Sequence, residues 1–143
     1  MRARSWLAAT FFCLYSVSCV AAGGDIPGYV MEIGTKRISE HLFRFTRHNA
    51  ESPYPCLKLE LIAPAEDWAV VEKKEICEMN GKNLEHDYAY ASFGALSFTD
   101  EALLFQFTFF DKTSPGEYIQ DCAIPLGNRI GNLQCIAPEM LSD

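Results

Sequence analysis

The run from Leu103 to Phe110 (LLFQFTFF) constrains the fold of this chain more than any other stretch. Apolar residues occupy every second position, and polar side chains stand between them at Gln106 and Thr108. The alternating apolar set is Leu103, Phe105, Phe107 and Phe109. A period of two is typical of a β-strand with one buried face. Because each buried Phe contributes roughly 1.5–3 kcal/mol relative to exposure, we predict that this strand lies in the middle of a sheet.

Extended segments of the same kind recur along the chain. They are predicted at residues 29–33, 42–47, 57–61, 68–76, 88–98, 103–110, 118–126 and 130–136. Gly34 is predicted to end the first segment, and Gly94 to bend or bulge the fifth. No long segment has the apolar period of a helix. The sequence therefore predicts an all-β fold, a single-domain antiparallel sandwich or small barrel of about seven to eight strands.

The first residues have the organisation of a secretory signal peptide. A basic start is followed by an apolar run, Trp6–Val20, and by small residues up to Ala22 that suit cleavage. We predict a signal over residues 1–22 and one β-rich domain over residues 23–143, periplasmic or secreted. Lipidation at Cys19 is the alternative processing event. The apolar run is shorter than a bilayer-spanning helix, so no stable membrane span is predicted.

The cysteines predict two disulfides. Outside the predicted signal the chain has Cys56, Cys77, Cys122 and Cys135. A small exported domain most simply pairs all four, and three connectivities are open. Local strand pairing favours Cys56–Cys77 and Cys122–Cys135. Cys56 and Cys77 are equidistant along the chain from a turn predicted between Glu66 and Asp67. Cys122 and Cys135 likewise lie on either side of a turn predicted at residues 127–129.

A helix competes with the hairpin over Pro64–Ile76. Proline followed by Ala-Glu-Asp resembles the first turn of a helix. The hairpin is favoured, and it would place Cys56 and Cys77 opposite each other at its open end, where a disulfide can join them.

The charge of the chain narrows the class of partner. It carries 12 basic and 19 acidic residues, a net charge of −7. If Arg2 and Arg4 leave with the signal, 10 basic residues face the same 19 acidic ones, a net charge of −9. An acidic domain is a poor match for nucleic acid or for an anionic membrane surface. A basic protein, such as a basic secreted enzyme, is a compatible partner.

Catalytic, metal and cofactor motifs are missing from the sequence. G-x-S-x-G, H-E-x-x-H and the EF-hand pattern do not occur. His86-Asp87 has the form of a base with its orienting carboxylate, yet no nucleophile adjoins it. Carboxylates that would have to gather for a calcium site are Asp100, Glu101, Asp111, Glu117 and Asp121. They are sparse beside the six to eight oxygens that calcium needs, so we predict no metal and no cofactor.

One region has the composition of a recognition surface. Asn80-Gly81 predicts a tight turn inside a polar loop over residues 78–87, and Tyr88, Tyr90 and Ser92 are predicted to share one strand face beside it. Tyrosine is favoured at binding surfaces because it combines apolar area with a polar tip. The candidate binding residues are Asn80, Lys82, Asn83, Tyr88 and Tyr90. The alternative is that the tyrosines cap the core and keep their hydroxyls in water.

These features together favour binding over catalysis. We predict an exported protein-binding module, an inhibitor or immunity protein that occludes the active site of a secreted or cell-wall-degrading enzyme. Its disulfide-linked scaffold would lose little entropy on binding. One alternative is an envelope or surface-appendage subunit that assembles through an unpaired edge strand. The other is a small secreted hydrolase that uses His86 and Asp87.

Overall fold

A computed structural model describes residues 26–141 of the chain. The strands are β1 (Val30–Ile38), β2 (His41–His48), β3 (Leu57–Ala63), β4 (Ala69–Ile76), β5 (Glu78–Met79), β6 (Lys82–Asn83), β7 (Tyr88–Phe98), β8 (Ala102–Asp111), β9 (Glu117–Pro125), β10 (Gln134–Cys135) and β11 (Glu139–Met140). Within this range the one helical element is a turn of 3₁₀ helix, Pro64–Glu66. The predicted signal peptide, residues 1–22, lies outside the described residues.

The long strands form two antiparallel sheets. The first sheet has the order β1-β2-β3-β4. The second has the order β10-β9-β8-β7, and β11 also pairs with β9. Short strands β5 and β6 pair with each other in a separate hairpin. Strands that are neighbours in space are therefore mostly neighbours along the chain, as hairpin turns between short strands require.

A single apolar core is shared by the two sheets. It joins Phe43 and Phe45 of β2 to Phe93 of β7 and to the apolar face of β8. The four alternating residues of β8 predicted to be inward, Leu103, Phe105, Phe107 and Phe109, are at most 6% exposed. Because β8 pairs with β7 on one side and β9 on the other, its predicted central position is confirmed. The all-β antiparallel class is also confirmed, and no closed barrel forms within residues 26–141.

Both predicted disulfides are present, Cys56–Cys77 and Cys122–Cys135. The first follows from the hairpin register, because Leu57 lies opposite Ile76 at the start of the β3–β4 ladder. The second joins two residues that lie directly opposite each other on β9 and β10. The hairpin predicted for β3 and β4 is confirmed. The helix alternative over Pro64–Ile76 is wrong except for the single 3₁₀ turn at Pro64–Glu66.

The prediction that Gly34 ends the first strand is wrong. β1 continues through Gly34 to Ile38. Gly34 lies opposite Phe45 on β2, and a Cβ atom at residue 34 would overlap the Phe45 ring. The glycine therefore gives the aromatic ring room to cover the strand. A glycine that makes space for a cross-strand neighbour cannot be told from a strand-ending glycine by sequence alone.

The predicted strand over residues 130–136 is largely wrong. Ile130 forms one isolated bridge with Leu126, and continuous pairing with β9 is limited to β10 and then β11. Pro138, which has no N–H to donate, lies in the gap between these two short strands. Residues 134–140 thus form an interrupted outer strand along the edge of β9.

The outer face of the first sheet has a buried carboxylate at its centre. Glu60 of β3 is 6% exposed, although its side chain lies on the face away from the core. Arg44 Nε donates a hydrogen bond to Glu60 Oε2 at 2.7 Å, and Lys58 Nζ lies 3.3 Å from Glu60 Oε1. Burial by itself raises the pKa of the Glu60 carboxyl, but the hydrogen bonds and charges of Arg44 and Lys58 outweigh it and lower the pKa.

We expect Glu60→Gln to destabilise the protein near neutral pH and to matter less in acid. A carboxyl whose pKa is lower in the folded than in the unfolded state stabilises the fold above its unfolded-state pKa, near 4.3. That contribution is lost as the pH falls through the folded-state pKa. Urea unfolding between pH 7 and pH 2 should therefore show the mutant and the original chain converging below about pH 4.

The matched control is Asp100→Asn. Asp100 pairs with Lys36 at 3.0 Å, but its side chain is 91% exposed. Exposed pairs contribute little, so this variant should track the original chain at every pH. A Glu60→Gln difference that stays constant from pH 7 to pH 2 would contradict the assignment.

Candidate functional site

The loop predicted to bind a partner folds back onto the protein. Asn80 and Gly81 have φ of 53° and 72°, so the predicted tight turn is confirmed and connects β5 to β6. On either side of the turn, Met79 and Leu84 are buried in the core, 2% and 6% exposed. The loop is therefore anchored by two apolar side chains instead of projecting from the surface.

Three of the candidate binding residues make bonds that hold this loop in place. Asn80 Nδ2 donates to Gln120 Oε1 at 3.0 Å. The Lys82 ammonium pairs with Asp111, and its hydrogen bond contributes most to holding the pKa of that carboxyl well below its usual range. Asn83 Oδ1 accepts hydrogen bonds from the backbone N–H groups of two residues that follow it, at 2.9 and 3.2 Å. These polar groups are engaged within the protein.

The prediction that Tyr88 and Tyr90 share a face is wrong. The β7–β8 register shifts between them, so one extra residue turns Tyr88 inward. Tyr88 is 4% exposed, and its hydroxyl donates to the Met79 carbonyl oxygen at 2.7 Å, so its tip is not in water either. Tyr90 is 44% exposed and lies edge-on to Phe110. A second shift, between Gly94 and Ser97, confirms the predicted bulge at Gly94.

The connection between β3 and β4 is exposed, unlike the anchored loop between β5 and β6. We call residues 64–71 the hairpin tip. Every residue from 65 to 71 is exposed, including Trp68 at 59%, Val70 at 47% and Val71 at 46%. A monomer has little reason to leave a large indole in water beside two valines, because burying them is worth several kcal/mol in total. This is the surface feature most in need of a functional explanation.

The backbone at the hairpin tip is strained. Asp67 and Trp68 have φ of 57° and 61°, two consecutive non-glycine residues in the left-handed region. Each such residue costs about 1–3 kcal/mol and persists only where the surroundings fix it. Such strain is concentrated at binding and catalytic sites. Here it sets the direction in which the Trp68 side chain projects.

The base of the hairpin is fixed on both sides. Cys56–Cys77 closes the end of the β3–β4 ladder remote from the tip. On β4, Glu72 Oε2 accepts a hydrogen bond from the backbone N–H of Ile130 at 3.2 Å. Lys74 Nζ donates to the Gly131 carbonyl oxygen at 2.6 Å. The hairpin tip is therefore an exposed apolar element on a rigid support.

The sequence predicts Trp68 as the first residue of the extended segment 68–76 and gives it no binding role. The missed signal is the run Trp-Ala-Val-Val at residues 68–71, which is apolar throughout and lacks the period of two seen in β8. An apolar run directly after an acidic turn at Glu66 and Asp67 is a candidate for an exposed binding tip.

The His86–Asp87 pair suggested by the sequence does not form in the described part of the chain. His86 is largely exposed, and its nearest carboxylate is that of Glu85, with 3.4 Å between His86 Nε2 and Glu85 Oε2. Asp87 Oδ2 instead accepts a hydrogen bond from the Asn83 backbone N–H at 2.7 Å. Over residues 26–141, no group of three or more His, Cys, Asp or Glu side chains is placed to hold a metal ion.

Two further results bear on function. In the described part of the chain, no helix has the length and apolar character to cross a bilayer. Comparison with protein-family models, curated proteins and solved structures finds no match to this chain. Function is therefore inferred from the residues and their arrangement.

Proposed function

We propose that this protein is an exported binding module that occludes the active site of a secreted or cell-wall-degrading enzyme with its hairpin tip. The observation that carries the proposal is Trp68, which is exposed and held in a strained conformation on a rigid hairpin. An exposed apolar tip of this kind offers a side chain that an enzyme cleft can take up. The role is that of an inhibitor or an immunity protein.

Preorganisation supports high affinity at such a tip. Binding energy is concentrated in a few residues, and tryptophan is among the most frequent of them. A tip that is already ordered loses little conformational entropy on association. The disulfide and the contacts of Glu72 and Lys74 supply that order here.

Electrostatics favours a basic target. Glu66 and Asp67 directly precede Trp68, and the segment from residue 59 to residue 72 contains no Lys or Arg. The whole chain is acidic as well, with a net charge of −7. Association with a basic enzyme should be accelerated at low ionic strength and slowed by added salt.

The proposed location is the periplasm or the extracellular space. Two disulfides in a small β protein are typical of an oxidising compartment. The signal peptide predicted over residues 1–22 would direct the chain to such a compartment.

Assembly through the edge strands β4 and β7 is less well supported. β4 presents Glu72 and Lys74 towards the second sheet, and β7 is interrupted by two register shifts. Inward charges and bulges are devices by which edge strands avoid pairing with other chains. Both features disfavour an appendage subunit that polymerises along β4 or β7.

The experiment for the proposal is capture with the oxidised protein, followed by mass spectrometry and an activity assay. We expect one secreted hydrolase to be recovered at equal stoichiometry, and its activity to fall when the protein is added. Recovery of further copies of the chain would support the assembly alternative. Recovery of no stoichiometric partner from periplasm and from secreted enzyme mixtures would overturn the inhibitor proposal.

Trp68→Ala should weaken binding to that enzyme by about 30-fold or more, since truncation of a central aromatic typically costs 2 kcal/mol or more. Isothermal titration calorimetry measures the loss. Tyr90→Ala is the matched control, because Tyr90 is an exposed aromatic on the other sheet. If Tyr90→Ala weakens binding and Trp68→Ala does not, the contact belongs to the region predicted from sequence and not to the hairpin tip.

A further inference from the structure

A groove crosses the outer face of the second sheet, far along the chain from the hairpin tip. It is formed by β8, β9 and β10 and has a volume of about 660 Å³. Concave sites of roughly 300–1,000 Å³ are typical of ligand binding. We call it the Asp121 groove, after the one charged residue that lines it.

The walls of the Asp121 groove are apolar. Leu104 of β8 and Ile136 beside β10 are 39% and 56% exposed, and the Cys122–Cys135 disulfide contributes to the lining. Ala123 lies opposite Leu104 on the neighbouring strand, and its small side chain leaves the space open. Apolar side chains around a small central residue leave room for an apolar group from a partner.

The polar side of the groove combines one carboxylate with two amides. Asp121 is exposed and lies opposite Gln106 on β8, and Gln134 lines the same groove from β10. Among residues 26–141, no Lys or Arg forms an ion pair with Asp121. The comparison within the molecule is Glu60, which is neutralised by two basic neighbours. A carboxylate without a basic neighbour is available to pair with a cation that a partner brings, and the pair strengthens when the partner excludes water from it.

We infer that the Asp121 groove binds a segment of a protein partner in which an apolar side chain stands next to a Lys or Arg. The apolar side chain contacts Leu104 and Ile136, and the basic group pairs with Asp121. The amides of Gln106 and Gln134 can bond the backbone of the segment. This inference does not depend on the hairpin tip or on the target being an enzyme.

A second copy of the chain is a poor occupant. Two copies meeting face to face would bring two Asp121 carboxylates into one apolar interface, and like charges in such a setting are strongly unfavourable. The net charge of −7 on each copy adds to this repulsion. A basic partner brings no second carboxylate to Asp121 and is attracted by the net negative charge of the chain.

The probe for the test is the peptide acetyl-Ala-Phe-Arg-Ala-amide, titrated into the ¹⁵N-labelled oxidised protein. We expect amide shifts at residues 104–106, 121–123 and 134–136. Replacing Arg by Glu in the peptide should weaken binding about tenfold or more, as expected for reversing the charge beside a carboxylate. No shift at these residues with the peptide at about 10 mM, the range in which weak segment binding is still detected, would overturn the inference.

Two variants separate the roles of charge and space. Asp121→Asn should lower affinity for the Arg peptide about fivefold or more while leaving the weak binding of the Glu peptide unchanged or improved. Ala123→Phe should fill the groove and abolish binding, and phenylalanine is well suited to a strand. Asp100→Asn, which removes an exposed carboxylate at the β7–β8 turn, should have no effect. Equal effects of Asp121→Asn and Asp100→Asn, or peptide shifts confined to the hairpin tip, would contradict the inference.

Discussion

Phe107→Ala should lower the free energy of unfolding by about 3–5 kcal/mol, the usual cost of removing a buried aromatic ring. Phe107 is fully buried on the central strand of the second sheet. Its ring lies between 5.2 and 5.6 Å, centroid to centroid, from the rings of Tyr88, Phe93 and Phe109. Truncation therefore removes apolar contact, leaves a cavity and breaks three aromatic pairs at once. Urea unfolding followed by near-ultraviolet circular dichroism measures the change.

The control for this prediction is Phe110→Ala on the same strand. Phe110 is 38% exposed and points to the outer face, where its one aromatic pair among residues 26–141 is with Tyr90, at 6.4 Å between ring centroids. Its truncation should cost clearly less than that of Phe107, about 1 kcal/mol or below. Equal losses for the two variants would show that the core is not organised around the inward face of β8.

Removal of the Cys56–Cys77 disulfide, as Cys56→Ser with Cys77→Ser, should cost about 3 kcal/mol. A disulfide stabilises chiefly by restricting the unfolded chain, and this one joins residues 21 positions apart. Because the main effect is on the unfolded state, the native amide spectrum should change only near the two substituted residues. Thermal and urea unfolding of the double variant give the loss.

The second disulfide provides the comparison. Cys122–Cys135 closes a shorter segment, 13 positions, and the same entropy model gives a loss of similar or slightly smaller size. Amides of the hairpin tip should keep their positions in either double variant. If removal of Cys56–Cys77 disturbs amides at Trp68, the disulfide supports the conformation of the tip directly and the entropic account is incomplete.

The parts of this fold that are readable from the sequence are those governed by local periodicity. The alternation in residues 103–110 identifies a central strand, because a buried face leaves every second position apolar. The placement of Cys56 and Cys77 identifies a hairpin register, because residues equidistant from a turn face each other. Both predictions depend only on the types and spacing of residues within one or two adjacent strands.

The candidate site escaped prediction because its features depend on bulges and on exposure. A single inserted residue between Tyr88 and Tyr90 reverses the face of one tyrosine, and no residue type there signals the insertion. Trp68 belongs by type to a core, and only the three-dimensional structure shows it in solvent. The polar composition of residues 78–87 predicts an accessible loop, whereas Met79 and Leu84, which anchor it, are buried.

The Asp121 groove lies beyond sequence reasoning for a different reason. Its walls come from Leu104, Ala123 and Ile136, which are far apart in the chain and meet only when β8, β9 and β10 are side by side. In the sequence, Asp121 is only one of several scattered carboxylates. Its apolar setting becomes visible when the strands are assembled.

The connectivity of the disulfides has a consequence for how the protein matures. Each bond joins two cysteines that follow one another in the predicted domain. Cys56–Cys77 links the ends of the β3–β4 hairpin, and Cys122–Cys135 links the paired strands β9 and β10. If the predicted signal, which contains Cys13 and Cys19, is removed during export, Cys56 is the first cysteine left in the chain and meets Cys77 before either later cysteine is available. Oxidation in order of appearance therefore yields the native pairing, and an oxidase suffices without a reshuffling isomerase. Maturation should accordingly proceed at the rate of thiol oxidation, with no slow phase from exchange of mispaired bonds.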